Sequence, residues 1–277
     1  LITMEMKKYI FTAFAAAAVL SACVNLDLNP LSEGSTENWY STDQEIELSL
    51  NGLYRAALWK NECNRLFNTD RWTDDWSQRT QLYDWVAGTI SSTWSQGAGE
   101  WTNHFKGVAR ANTILYSMDK ATNLSAANVA QYTAEAKFLS ACFYMYLIAN
   151  FGDVPFYTDY ITLEEAYELG RTDREVVLQQ IYKDFDDAAA DLPVSYSGTQ
   201  TKRATKGAAY AMKARAALLM NDWKTCAQAA KNCMDLGVYE LHPDYGEYFK
   251  SSTKVSKETI FALYTSNPDV RRAVGDA

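Results

Sequence analysis

The sequence predicts an all-α fold of stacked helix pairs joined by long irregular loops. Apolar residues recur three and four positions apart, which places them on one face of a helix with 3.6 residues per turn. Each periodic run is bounded by a capping residue or a breaker. Two alanine-rich runs flank Asn221-Asp222, and side chains that small let paired helices approach closely. With 277 residues, 48% of them hydrophobic and 22% charged, the chain can bury a sizeable core.

The first helix starts at Thr42-Asp43-Gln44-Glu45, a cap residue with acid in the first turn, and Ile46, Leu50, Leu53, Tyr54, Ala57 and Leu58 mark its apolar face. Residues 62–100 read as irregular, rich in Trp, Asp, Ser, Thr and Gly, and structureless segments of that length usually carry function. From Trp101 the helical spacing resumes with Val108, Ala111, Ile114, Leu115 and Met118. A helix from Val129 to Asn150 carries apolar residues around nearly its whole circumference, as a buried helix does, and Gly152-Asp153-Val154-Pro155 stops it. Another runs from about Asp173 to Leu192 and closes at Pro193, and the last two span about Lys206–Met220 and Asp222–Leu236, with Gly237 as terminator. Thr259 to Tyr264 reads as strand-like.

Ala208, Ala209, Ala211, Ala214, Ala216 and Ala217, then Asn221-Asp222-Trp223 and Cys226, Ala227, Ala229 and Ala230, resemble the middle of a tetratricopeptide repeat: a tight turn, an aromatic, then small packing residues. Such pairs stack because no single pair buries its own apolar face.

The N-terminus reads as an address. Lys7 and Lys8 precede a short apolar run, Tyr9 to Leu20, too short to span a bilayer and therefore a signal peptide. Met4 or Met6 is the expected start, with Leu1 to Glu5 as either upstream sequence or an alternative start. Leu20-Ser21-Ala22-Cys23 resembles the bacterial lipobox, in which Cys23 becomes the lipidated first residue; more than one acyl chain then gives stable attachment. The expected organisation is residues 1–22 as signal peptide with upstream residues, 23–40 as lipid anchor and tether, and 41–277 as the helical domain. Cys63, Cys142, Cys226 and Cys233 read as buried free thiols. Seven residues along a helix, about 10 Å, separate Cys226 from Cys233, too far for a disulfide.

The formal charge is −8, and no Lys/Arg cluster offers itself to phosphates, which argues against nucleic acid as a partner. Five of the eight tryptophans are Trp72, Trp76, Trp85, Trp94 and Trp101. Asp74, Asp75 and Arg79 are interleaved with the first of them, beside Arg71 and Gln78. Flat apolar faces for C–H surfaces next to planar polar groups for hydroxyl pairs suit sugar recognition. Trp72, Asp74, Asp75, Trp76, Arg79 and Trp85 are therefore the candidate ligand-binding residues. Trp72 and Trp76 suit equally the fixing of a long loop onto the helices, whereas Trp101, at the mouth of a helix, reads as core.

Several segments together resemble the SusD/RagB family of nutrient-binding outer-membrane lipoproteins. They are Leu26-Asp27-Leu28-Asn29-Pro30, Asn51-Gly52-Leu53-Tyr54, Arg110-Ala111-Asn112-Thr113-Ile114-Leu115 and Ala134-Glu135-Ala136-Lys137-Phe138-Leu139-Ser140-Ala141, followed by Asn150-Phe151-Gly152-Asp153-Val154-Pro155-Phe156, Ile181-Tyr182-Lys183-Asp184-Phe185-Asp186-Asp187-Ala188-Ala189 and Arg203-Ala204-Thr205-Lys206-Gly207-Ala208-Ala209. Where Ser140 stands the family often has Arg. The resemblance implies a SusD-like helical fold and a surface-exposed, lipid-anchored location in the outer membrane. It also implies capture of oligosaccharides and their delivery to a TonB-dependent SusC-like transporter. Family members usually continue for about as much chain again, so this sequence corresponds to the family's N-terminal part.

Catalysis finds little footing. Asp74-Asp75 and Asp186-Asp187 are adjacent pairs whose side chains diverge on a helix or a strand, unlike the facing carboxylates of glycoside hydrolysis. His104 and His242 are too few and too isolated for a metal site or a triad. The reading is therefore a binding protein that is no enzyme and needs no cofactor or metal. The rival readings are a helical-repeat interaction scaffold without its own ligand site, and a surface glycosidase.

Overall fold

The computed structural model describes residues 39–56, 88–197, 203–250 and 256–262. Within them lie α1 (Asp43–Ala56), α2 (Ser95–Met118), α3 (Ala126–Phe151), α4 (Leu163–Glu168), α5 (Arg174–Asp191), α6 (Lys206–Leu219), α7 (Trp223–Met234) and α8 (Tyr245–Tyr248). No strand occurs among the described residues; the β-type pairing is one isolated antiparallel bridge, Val154 to Thr172. The helical fold class is as predicted.

Local chemistry sets the starts. At α1, Thr42 Oγ1 accepts from the Glu45 amide at 3.3 Å while Glu45 Oε2 accepts from the Ser41 and Thr42 amides at 2.8 and 3.0 Å, a reciprocal cap that satisfies otherwise orphaned donors. Ser125, Asp173, Thr205 and Asp222 cap α3, α5, α6 and α7 through their side chains. Gly152, at φ 72°, ends α3 in a left-handed conformation that residues with a Cβ rarely adopt.

The core is built around α3. Phe138, Leu139, Ala141, Cys142, Phe143, Met145 and Leu147 have no exposed surface. α1 and α2 pack on α3 from one part of its circumference and α5 from another; α5 packs in turn on α6, and α6 on α7. Each helix thus leans mainly on its neighbours in sequence, the arrangement a repeat-like stack requires. At the α2–α3 crossing Gly107 has no alternative: a Cβ there would stand 2.5 Å from Cε2 of Phe143. In the last pair Ala208, Ala209, Ala216 and Ala217 of α6 and Ala229 and Cys233 of α7 are buried, and Asn221 at φ 61° makes the tight turn.

Four readings change. Helix α2 begins at Ser95, six residues before Trp101; Gly97 and Gly99 are weak helix formers, but the Trp94 ring folds over this first turn, 3.2 Å from where a Gly97 Cβ would be. Helices α4 and α8 are too short for periodicity to reveal, and their caps (Thr162 with Glu165, Asp244 with Glu247) define them. The described part of the strand-like stretch, up to Ala262, is irregular with a bend at residues 260–261. Its Phe261 docks on the Phe138 ring at 5.3 Å and the Tyr54 ring at 6.4 Å, so its apolar character serves the helical core. Trp223 is 63% exposed, off the inward face marked by Cys226, Ala229 and Cys233, so the aromatic does not serve as a packing residue of the last pair.

Cys142 and Cys233 are buried and Cys226 is half-buried, all three free; burial pushes the Cys142 and Cys233 thiols up, away from reactivity. No helix among the described residues is long and apolar enough to cross a membrane.

Candidate functional site

The candidate ligand-binding residues Trp72, Asp74, Asp75, Trp76, Arg79 and Trp85 lie outside the described residues, as do Cys23 and Cys63. What the structure describes is the frame from which the 57–87 segment departs and to which it returns: the C-terminal end of α1 and the turn leading into α2. Both helices are fixed on α3.

The departure point is held by a buried polar clasp. Tyr54, three residues before the segment, donates its hydroxyl to Glu135 Oε2 on α3 at 2.9 Å, and the Tyr54 hydroxyl oxygen accepts from the Ala204 amide at 2.9 Å. Arg203 Nη1 pairs with Glu135 Oε2 at 2.9 Å, and its Nη2 reaches Asn51 Oδ1 at 3.3 Å. Gln131 Nε2 donates to the remaining carboxylate oxygen at 3.1 Å. Glu135 has no exposed surface and Arg203 keeps only 9%. Burial, reinforced by the neighbouring Glu135 charge, pushes the Tyr54 hydroxyl well above its usual range. Burial also works against the Arg203 charge, but the Glu135 carboxylate more than offsets it and Arg203 is held above its ordinary value. A buried pair is tolerable only when its lone pairs and donors are satisfied, and here three separate chain segments satisfy them. Residues 51–54, 131–135 and 203–204 are thereby joined at one point, three residues before the candidate segment begins.

At the return point Trp94 lies against its own helix. Trp101 is half-buried, 4.8 Å from the Phe105 ring and 5.2 Å edge-on to Phe151, and serves the core as expected. The acidic pair on α5 diverges: Asp186 pairs with Lys213 of α6 at 2.6 Å, Asp187 with Lys137 of α3 at 2.6 Å and with Lys183 at 2.8 Å. These carboxylates stitch helices together and do not face one another across a cleft. His104 is buried beside Phe143 and Tyr146, with Nδ1 2.7 Å from the Glu100 carbonyl oxygen. Among the described residues no group of three or more His, Cys, Asp or Glu side chains is placed to hold a metal ion.

The three segments that meet in the clasp belong to stretches that resemble one family, and comparison with known proteins decides it. The family model described as "Starch-binding associating with outer membrane" matches residues 25–218. The chain belongs to the SusD-like family. Among curated relatives, SusD-like protein P25 of Formosa agariphila is 23% identical over 280 residues, 94% of this chain and 52% of that protein. A SusD-like protein of Bacteroides ovatus is 22% identical over 93% of this chain and 50% of its own length. The chain thus spans about half the length of these relatives. Among solved structures, a SusD-like carbohydrate-binding protein of Bacteroides fragilis superposes with a TM-score of 0.72 at 27% identity, covering 80% of this chain and 46% of its own. The surface glycan-binding protein A of Bacteroides fluxus gives 0.69 at 26% identity, covering 80% and 50%. In this SusD-like chain the buried polar residues Tyr54, Glu135 and Arg203 are scaffold. Sequence reading named their segments but not their meeting, because nothing in spacings of 81 and 68 residues announces a contact.

Proposed function

We propose that this SusD-like chain is a cell-surface glycan-binding lipoprotein that captures oligosaccharides and passes them to a TonB-dependent SusC-like transporter. The observation that carries the reading is the family match across residues 25–218. It is supported by the fold shared with proteins described as carbohydrate-binding, surface glycan-binding and laminarin-binding. Cys23 is the lipid-bearing residue that holds the chain to the outer membrane. The working mechanism is reversible binding with no bond made or broken. Trp72, Trp76 and Trp85 supply stacking faces, and Asp74, Asp75 and Arg79 supply paired hydrogen bonds to vicinal hydroxyls. Because the chain covers half of its relatives' length, the site in a longer protein draws on further residues as well.

Intrinsic tryptophan fluorescence of the soluble Val24–Ala277 chain, titrated with maltoheptaose, laminarihexaose and xylohexaose, tests the reading. A saturable change with one of them, lost in Trp72→Ala or Trp76→Ala, is the expected result. Wild-type protein silent to all three in fluorescence and in calorimetry favours the scaffold reading, and cleavage of any of them by pure protein returns the glycosidase.

A further inference from the structure

The connection between α3 and α4 is fixed more firmly than a linker requires. Asn112, on α2 and 2% exposed, donates its side-chain amide to the carbonyls of Tyr157 at 3.3 Å and Asp159 at 3.2 Å. The equally buried Tyr144 of α3 donates its hydroxyl to the Tyr157 carbonyl at 2.9 Å and accepts from the Tyr157 amide at 3.1 Å. Its ring meets Phe156 edge-on at 5.0 Å. Beyond the loop, the Thr162–Glu165 capping box sets the start of α4. Buried amides and hydroxyls cost free energy unless paired, and here two of them are committed to a single surface loop.

What that clamp presents is an aromatic pair. The Tyr160 ring lies 5.3 Å from the Tyr116 ring of α2 at an interplanar angle of 31°, yet Tyr160 stays 50% exposed and Tyr116 45% exposed. Lys120, just past the C-terminal end of α2, hydrogen-bonds the Tyr116 hydroxyl and stands 3.7 Å from that ring's centroid. Rings that served only to cover α2 would be buried by the contact. These keep about half of their surface exposed, beside two phenolic hydroxyls and an ammonium group.

We propose that Tyr116 and Tyr160, with Lys120, form a carbohydrate-stacking subsite distinct from the 57–87 segment. The C–H face of a pyranose ring covers the open tyrosine surface, and its hydroxyls take hydrogen bonds from Lys120 and the phenols. The inference rests on the glycan-binding reading above. A rigidly held ring suits this use, because little ordering entropy is lost on binding.

The test is calorimetric titration of the Val24–Ala277 chain with the same three oligosaccharides, comparing wild type with Tyr160→Ala, Tyr160→Phe and Trp72→Ala. Tyr160→Ala should weaken binding about fivefold or more, a loss typical of an aromatic stacking contact. Tyr160→Phe, which keeps the ring and loses only the phenol, should weaken binding less than Tyr160→Ala. In parallel, the chain labelled with 3-fluorotyrosine is titrated and followed by 19F NMR, with resonances assigned from the Phe variants; Tyr116 and Tyr160 should shift at saturation. This second readout needs only Phe variants and holds even where Tyr160→Ala fails to fold. Wild-type affinity in Tyr160→Ala together with unmoved 19F resonances overturns the subsite while the Trp72→Ala loss leaves the glycan-binding reading standing. No binding by wild type to any of the three overturns both.

Discussion

Tyr54→Phe should destabilise the fold far more than the loss of one oxygen atom suggests. The hydroxyl is at once donor to Glu135 and acceptor for the Ala204 amide, both at 2.9 Å, and Tyr54 is only 6% exposed. Its removal leaves a buried amide without its acceptor and withdraws a hydrogen bond from a charged acceptor, together roughly 2–4 kcal/mol. Glu135→Ala should cost more, about 3–5 kcal/mol, because Arg203 is then a buried cation without its counter-charge. Both changes strike one network, so the double variant should fall short of the sum of the singles by at least about 1 kcal/mol. The assay is urea unfolding of the Val24–Ala277 chain followed by far-UV circular dichroism, with the midpoint moving at constant slope. Asp235→Ala serves as control, since its pair with Lys231 leaves both side chains more than half exposed (62% and 58%), and no resolvable change is expected. A Tyr54→Phe variant within about 0.5 kcal/mol of wild type, or strictly additive singles, would refute the claim that these residues act as a unit.

Gly107→Ala should destabilise by about 1–2 kcal/mol: the gain in helix propensity is outweighed by a Cβ placed 2.5 Å from the Phe143 ring. Thermal unfolding checks it, and Phe143→Leu in the same chain should recover part of the loss. Asp184→Asn should stabilise the protein at neutral pH. Burial pushes the Asp184 carboxyl up to about 6 against the opposing help of Gln180, Lys137 and Lys183. A folded-state value above the unfolded one means that its contribution is most favourable below the ordinary carboxylate range and is lost as pH rises through 6. At neutral pH the charged carboxylate therefore costs on the order of 3 kcal/mol. Asparagine keeps the acceptor that Gln180 uses at 2.8 Å, so chemical denaturation between about pH 4 and pH 7 should show a flatter profile for the variant. A variant less stable than wild type at pH 7 would contradict the assignment.

What was legible in the sequence was whatever is encoded within a few residues. The cap at Thr42 and the apolar spacing along each helix are local signals, and the starts read at Thr42, Val129, Asp173, Lys206 and Asp222 fall within three residues of those observed. The all-round apolar surface of α3 announced the buried helix for the same reason. What was not legible depends on packing. Ser95–Glu100 is helical against its glycines because Trp94 and Trp101 give that turn something to lean on. Phe261 looked like part of a strand because alternation cannot distinguish a sheet from a segment that inserts one ring between Tyr54 and Phe138.

The candidate binding residues illustrate a second limit, one of composition against position. Tryptophans mixed with carboxylates and arginine signal sugar chemistry wherever they stand together, so residues 72–85 are noticed at once. Tyr116 and Tyr160 are 44 residues apart, one on a helix and one on a loop, and each alone is an unremarked tyrosine among eighteen. Only the buried Asn112 and Tyr144, by fixing the backbone at Tyr157 and Asp159, bring the second ring to the first. A surface whose aromatic faces are positioned by buried hydrogen bonds from two helices keeps its geometry whatever the neighbouring segments do. Under the proposed glycan-binding role, that constancy separates a stacking platform from two exposed side chains.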